Sequence, residues 1–217
     1  MIDLHCHILP GVDDGSPDAE ISLSMARHAA KSGVTAIAVT PHCNLPGFRR
    51  NYRGPDYRRQ LNDLRELLTQ ENIPLRLYSG AEVFADPSNI RTLIEQHELI
   101  TLGGSRYLLV EFDFGLPGSV LLRTLEAIAQ RGLVPVVAHP DAVFPAPRSP
   151  SSVTTSPGFS VLAKSAPACS VCSAAVQRAP PCTCSRTVWR ISSRATPTTT
   201  ASAQRASGRF CRCSSPY

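Results

Sequence analysis

Five short apolar runs alternate with amphipathic segments over the first 141 residues. That alternation restricts the chain to a parallel sheet or barrel with helices packed on it. The strand candidates are Ile2–His7, Val34–Thr40, Leu75–Val83, Tyr107–Phe112 and Val134–Ala138. The helical candidates are Pro17–Ser32, Asp56–Gln70, Pro87–Gln96 and Gly118–Arg131. Asp18 and Glu20 enrich the first turn of the first helix, while Lys31 and Gly33 mark its end. In the second, Leu61, Leu64, Leu67 and Leu68 form an apolar stripe between charges, which reads as core.

The first strand closes on His5-Cys6-His7. Residues i and i+2 of a strand point to one face, so both imidazoles are offered to a single site, and paired neutral imidazoles grip metal. Asp13, Asp14, His42, Glu82, Glu111 and His139 recur at or just beyond the ends of the strand candidates, which outlines a polynuclear metal site. Each has an ordinary alternative, such as Asp13 and Asp14 forming a turn before Gly15; their joint recurrence is what favours metal. Mixed carboxylate and imidazole donors suit manganese, iron or zinc, and the lack of thiolates argues against a structural zinc site. Cys6 and Cys43 read as buried packing residues.

Composition splits the chain. Residues 1–141 hold 13 Lys+Arg and 17 Asp+Glu; residues 142–217 hold 9 Lys+Arg and no acidic residue. The basic net charge of +5 is therefore a property of the tail. The tail also holds six of the eight cysteines. Cys169-x-x-Cys172, Cys182-x-Cys184 and Cys211-x-Cys213 match no zinc template well, and no secretory signal supports a disulfide framework. The tail shows neither helical stripe nor sustained alternation and is expected to be disordered. Without interleaved aromatics, it does not read as a nucleic-acid-binding tail. No segment reaches membrane-spanning length and the N-terminus lacks a signal pattern, so membrane insertion is not expected and a cytoplasmic location is.

The stretch from Met1 to Ser16, MIDLHCHILPGVDDGS, closely resembles the opening of the bacterial PHP-type protein-tyrosine phosphatases of capsule and exopolysaccharide clusters. Thr40-Pro41-His42, Gly80-Ala81-Glu82, Leu109-Val110-Glu111 and Ala138-His139-Pro140 follow in the matching order, so the resemblance covers residues 1–140. Histidinol-phosphate phosphatases share the fold and much of the ligand set and are an alternative, but the stretch after His7 looks like the capsule type. The resemblance implies an α/β fold, here an incomplete, distorted (βα)7 barrel with a disordered low-complexity tail. The expected domains are 1–140, a partial PHP phosphatase domain, and 141–217, an out-of-frame tail. It also implies three metal ions, most often manganese, with iron or zinc as alternatives. His5 and His7 would hold one, Glu82 would bridge to a second completed by Glu111 and His139, and Asp14 with His42 would hold the third. Clustered divalent ions activate water and clamp phosphoryl oxygens. A tyrosine phenolate, with a pKa of about 10, leaves without full protonation. Arg49, Arg50 and Arg53 are candidate phosphate contacts, although a solvated basic loop is the simpler account. The implied substrate is a phosphotyrosine protein, a tyrosine kinase of polysaccharide export.

The family pattern stops near residue 141. His139-Pro140 is followed by Asp141-Ala142 instead of Glu-Arg, and the later Ser-Asp-Ala-His motif, which would supply an Asp and a His ligand, is missing. Back-translation of Ser192 to Thr198, read from the third base of each codon, permits Val-Ala-Ser-Asp-Ala-His. The motif can therefore be encoded one frame away, which points to a frameshift near codon 141. Besides an active phosphatase, this leaves two readings: a catalytically dead remnant that at most binds metal, and a polyanion-binding protein acting through the basic tail.

Overall fold

The computed structural model describes residues 1–48 and 51–139, and beyond them the backbone of three strands within 161–205. The elements in chain order are β1 (Ile2–Cys6), α1 (Ala19–Lys31), β2 (Ala36–Val39), β3 (His42–Cys43), α2 (Pro55–Gln70), β4 (Arg76–Ser79) and β5 (Glu82–Phe84). These are followed by α3 (Ile90–Glu95), a 3-10 turn at Leu102–Gly104, β6 (Tyr107–Glu111), α4 (Gly118–Ala129) and β7 (Val134–Ala138). The last three strands are β8 (Val161–Ser165), β9 (Thr187–Ile191) and β10 (Gln204–Arg205).

Local chemistry accounts for the helix starts. Asp18 caps α1 by accepting from the Ile21 N–H at 2.9 Å. Pro55 opens α2, where its missing N–H has no helical partner to lose. Tyr57, Leu61, Leu64 and Leu68 are the buried face of α2, as the leucine stripe requires.

The strands are parallel from β1 to β8, and the fold is α/β. One sheet runs β1-β2-β4, and the other runs β3-β5-β6-β7-β8-β9-β10. The two are joined through the chain. Ala36 faces Arg76 in the first sheet and His42 faces Glu82 in the second, the same offset of 40 residues, so one pairing register crosses both breaks. The sequence reads Leu75–Val83 as one strand; it is two, interrupted at Gly80-Ala81. Tyr57 fills that interruption. Its hydroxyl accepts from the Gly80 N–H at 2.9 Å and lies 2.9 Å from the Gly80 carbonyl and 3.2 Å from that of Val39. Backbone groups that lose their ladder partners there are satisfied by a side chain instead.

Most of the core lies between sheet and helices. Leu108 and Val110 of β6 and Val137 of β7 meet Leu121, Leu125 and Ile128 of α4 there. The alternate strand residues Ala38, Leu109, Val136 and Ala138 form a smaller cluster with Leu102 on the opposite face. On that second face Ile2, Leu4, Tyr78 and Tyr107 remain exposed. Cys6 and Cys43 are buried packing residues. The sequence predicts none of β8, β9 and β10; β8 pairs parallel to β7, whose outer edge offers unpaired backbone groups to an extended segment. The paired cysteines at 169–172, 182–184 and 211–213 lie outside the described residues.

Candidate metal centre

The strand ends converge on one carboxylate. Glu82 opens β5 with no exposed surface, and its Oε2 lies 2.9 Å from His5 Nε2 and 3.0 Å from His7 Nε2. Those two nitrogens are themselves 3.0 Å apart. His42 brings Nδ1 to 3.5 Å from the same oxygen and to 3.1 Å from Glu111 Oε1. His139 Nε2 approaches the other oxygen, Oε1, at 3.3 Å. Asp14 reaches the cluster from outside, with Oδ1 3.4 Å from His42 Nε2 and most of its side chain exposed. All seven residues singled out from the sequence as ligands therefore stand in one cluster.

Each strand places its candidate ligand for a local reason. His5 near the end of β1 and His7 just past it both turn toward Glu82 after a register shift between Asp3 and Cys6, whereas Cys6 points into the core. His139 lies one residue past β7 with φ +47°, a left-handed conformation that a histidine rarely adopts. The His42 strand end is held by Asn51, whose amide donates to the His42 carbonyl at 2.8 Å. Beyond it Asn44, also at positive φ, donates to the Phe84 carbonyl at 2.8 Å and accepts from the Tyr52 hydroxyl at 3.0 Å. Phe48 stacks on the His42 ring at 5.7 Å.

The contacts of the four imidazoles with Glu82, and of His42 with Glu111, have the distances of hydrogen bonds without their alignment. Glu82 Oε1 and Oε2, Glu111 Oε1 and His42 Nδ1 are buried and have no hydrogen-bond partner. Orphaned polar atoms are costly in a protein interior. Imidazoles and carboxylates that converge on Glu82 without aligned hydrogen bonds to it fit a cation, and the donor set fits manganese, iron or zinc. Three groupings bring ligand atoms within 4.8 Å of one another: His5, Glu82 and His139; His7, His42 and Glu82; and His7, Asp13 and Asp14. Glu82 belongs to two of them, as a bridging carboxylate does.

The electrostatics follow from the crowding. Burial opposes charge on Glu82, but His139, His5 and His7 outweigh it and hold the carboxyl well below the usual range. Burial alone would push the His7 imidazolium down; Asp13 and Glu82 reverse this and raise it to about 10. His42 is raised against burial by Glu111 and Glu82, and His139 is raised chiefly by Glu82. Cys43 is pushed up to about 12 by burial and then by Glu98, so it holds no appreciable thiolate near neutral pH.

Sequence reasoning left the role of Asp13 open between ligand and turn former. The structure buries its side chain beneath His7, a placement that no spacing rule encodes. Of the three candidate phosphate contacts, Arg53 is exposed and its backbone N–H bonds to the Glu98 carbonyl at 2.7 Å. Arg49 and Arg50 lie outside the described residues.

Comparison with known proteins places this geometry in a family. The family model described as capsular polysaccharide synthesis, CpsB/CapC, matches residues 1–142. The tyrosine-protein phosphatase YwqE of Bacillus subtilis is 33% identical over 141 residues, covering 65% of this chain and 54% of its own length. The tyrosine-protein phosphatase CpsB of Streptococcus pneumoniae is 32% identical, over 64% of this chain and 56% of its own. A solved structure from work on YwqE and CpsB as unique metal-dependent tyrosine phosphatases superposes with a TM-score of 0.60 at 34% identity. It covers 65% of this chain and 56% of the other. The chain thus spans little more than half the length of the relatives it matches. Well over half of its own residues fall under the family model, and the chain belongs to the CpsB/CapC family of capsular polysaccharide synthesis.

Proposed function

We propose that residues 1–140 are the metal-binding part of a metal-dependent protein-tyrosine phosphatase that regulates capsular or exopolysaccharide synthesis. The observation that carries this reading is the convergence of His5, His7, His42 and His139 on the buried, hydrogen-bond-orphaned carboxylate of Glu82. His5, His7, Asp14, His42, Glu82, Glu111 and His139 would hold divalent ions, most often manganese, with iron or zinc as alternatives. Such ions, when bound, supply an activated water and neutralise charge on the transferring phosphoryl group. The chain's own part is positional: Glu82 supplies a buried negative charge, the imidazoles surround it, and Asp14 lies at the outer rim. Arg53, with Arg49 and Arg50, is the proposed contact for phosphate. The proposed substrate is phosphotyrosine on a polysaccharide-export tyrosine kinase, and the proposed place of action is the cytoplasm. No helix among the described residues is long and apolar enough to cross a membrane.

The proposed architecture is an incomplete (βα)7 barrel. Two features support it: the sequential strand order with one register across both sheet breaks, and exposed Ile2, Leu4, Tyr78 and Tyr107 on the face away from the helices. That face would be the lumen, left partly uncovered. Residues 141–217 would be an out-of-frame tail, of which β8 extends the sheet at the edge of β7.

The test is hydrolysis of p-nitrophenyl phosphate and of a phosphotyrosine peptide by the full chain, with and without Mn²⁺. The expected result is Mn²⁺-stimulated turnover that disappears in His5→Ala. A second reading, a remnant that binds metal without turnover, is favoured by one observation: the family match ends at residue 142, where acidic residues cease. Manganese uptake with no hydrolysis above the His5→Ala background would decide for the remnant.

A further inference from the structure

Asp13 is a buried charged group at this site that the proposed ligand set does not use. Its side chain has no exposed surface. Oδ2 lies 2.8 Å from His7 Nδ1 and accepts from the His42 backbone N–H at 2.9 Å, while Oδ1 accepts from the Gly15 N–H at 3.0 Å. Two carboxylate oxygens offer about four lone-pair directions, and three face these partners. The carboxylate is thus turned toward nitrogens on three segments, and His7 Nδ1 points at it while Nε2 points at Glu82. The loop that delivers Asp13 lies so close to His7 that a Cβ on Gly15 would overlap His7 Cβ and its carbonyl oxygen.

We infer that Asp13 is a positioning residue: it holds His7 as the Nδ1–H tautomer, leaving Nε2 free to bind metal. The inference rests on the metal reading of the site. Ligating histidines commonly donate their second ring N–H to a carboxylate, which sets both tautomer and ring direction. An asparagine at 13 has nearly the same shape, but its amide can turn its NH₂ toward Nδ1. So turned, it favours the opposite tautomer at the cost of the His42 N–H bond; otherwise it loses the Gly15 bond, so it cannot hold the Nδ1–H tautomer as the carboxylate does.

The experiment is a double-mutant cycle on Mn²⁺ affinity, measured by calorimetry on the full chain with wild type, Asp13→Asn, His7→Ala and the double variant. Asp13→Asn is expected to weaken Mn²⁺ binding about 10- to 100-fold when His7 is present. In the His7→Ala background the same change is expected to cost less than about twofold, because independent sites add and coupled ones do not. Ring ¹⁵N shifts of His7 in the Zn²⁺-loaded protein should show Nδ1 protonated in wild type and a mixture in Asp13→Asn. Should Asp13→Asn be unfolded at the titration temperature, Asp13→Glu, which keeps the charge but cannot place it at the same point, takes its position in the cycle. An equal loss in both backgrounds overturns the inference, since Asp13 would then act as a ligand itself or through His42. No effect of Asp13→Asn, with metal still bound, overturns it while leaving the metal site intact. Absence of Mn²⁺ binding by wild type removes the metal reading and this inference together.

Discussion

At the scale of single residues, the candidate centre is a set of mutually stabilising charges that are costly without a cation. In the metal-free protein the imidazolium of His7 compensates Asp13 and Glu82, and its pKa rises from 6.5 to about 10. A raised folded-state pKa means that the folded chain binds more protons than the unfolded one across that interval. The stabilisation is therefore present in full below pH 6.5 and is lost as pH rises toward 10. We expect metal-free protein to lose stability by roughly a few kcal/mol over that window. Saturating Mn²⁺ should flatten the dependence, because the cation takes over the protons' role. Chemical denaturation at pH 6, 8 and 10 measures this, and a flat metal-free profile would show that His7 is not charged in the folded state. Gly15→Ala tests the close approach of the loop to His7. Backbone lies on one side of the new methyl and cannot yield, so a loss of about 3 kcal/mol is expected. Much of the site was legible at this scale: histidines two apart at a strand end are offered to one side by alternation. The role of Asp13 was not, because its partners His7 and His42 meet it only through the fold.

At the scale of elements, the informative feature is the break that splits Leu75–Val83 into β4 and β5. The apolar alternation runs through Gly80-Ala81 without a mark, so periodicity alone reads one strand. A Cβ on Gly80 would stand 3.0 Å from Thr40 Cγ2, 3.1 Å from Leu102 and 3.2 Å from the Val39 carbonyl, which explains a glycine at this bend. Tyr57 from α2 locks the bend, and burial pushes its hydroxyl up to about 12. The sign is again that of a raised pKa: the contribution is whole below pH 10 and lost as pH rises through 12. Wild type should show an alkaline loss of stability between those limits. In Tyr57→Phe that component should vanish, and stability at pH 7 should fall by about 1–3 kcal/mol from the unsatisfied backbone groups. Equal alkaline slopes in both proteins would assign the loss to other groups, Cys43 among them. Two-residue β3 escaped prediction for a related reason: His42–Cys43 is too short to show a period, and it is a strand because Glu82–Val83 lies beside it.

At the scale of the whole molecule, metal and fold should be coupled. A ligand that binds only the folded chain at 100 times its dissociation constant adds about 2.7 kcal/mol. Addition of EDTA to Mn²⁺-loaded protein should therefore lower its melting temperature by several degrees, and Glu82→Gln should abolish that difference. A melting temperature indifferent to chelation would count against a metal bound at Glu82. The half-covered sheet face with Ile2, Leu4, Tyr78 and Tyr107 belongs to this scale too. Resequencing codons 135–150 is the corresponding genetic test. A gained or lost base would restore an in-frame continuation; an unchanged sequence would leave the proposed remnant.

The sequence by itself determined the α/β alternation, the apolar helix faces and the candidate ligand types at the strand ends, because alternation, helical period and donor chemistry are local properties. It also located the compositional change at residue 141, beside the end of the family match at 142. Only the tertiary structure decided the rest. The strand register that sets His42 against Glu82, the burial of Asp13 under His7 and the tyrosine at the strand break join residues 6 to 40 positions apart. Their energies come from desolvation and from donors supplied by other elements, and neither exists until the chain has folded.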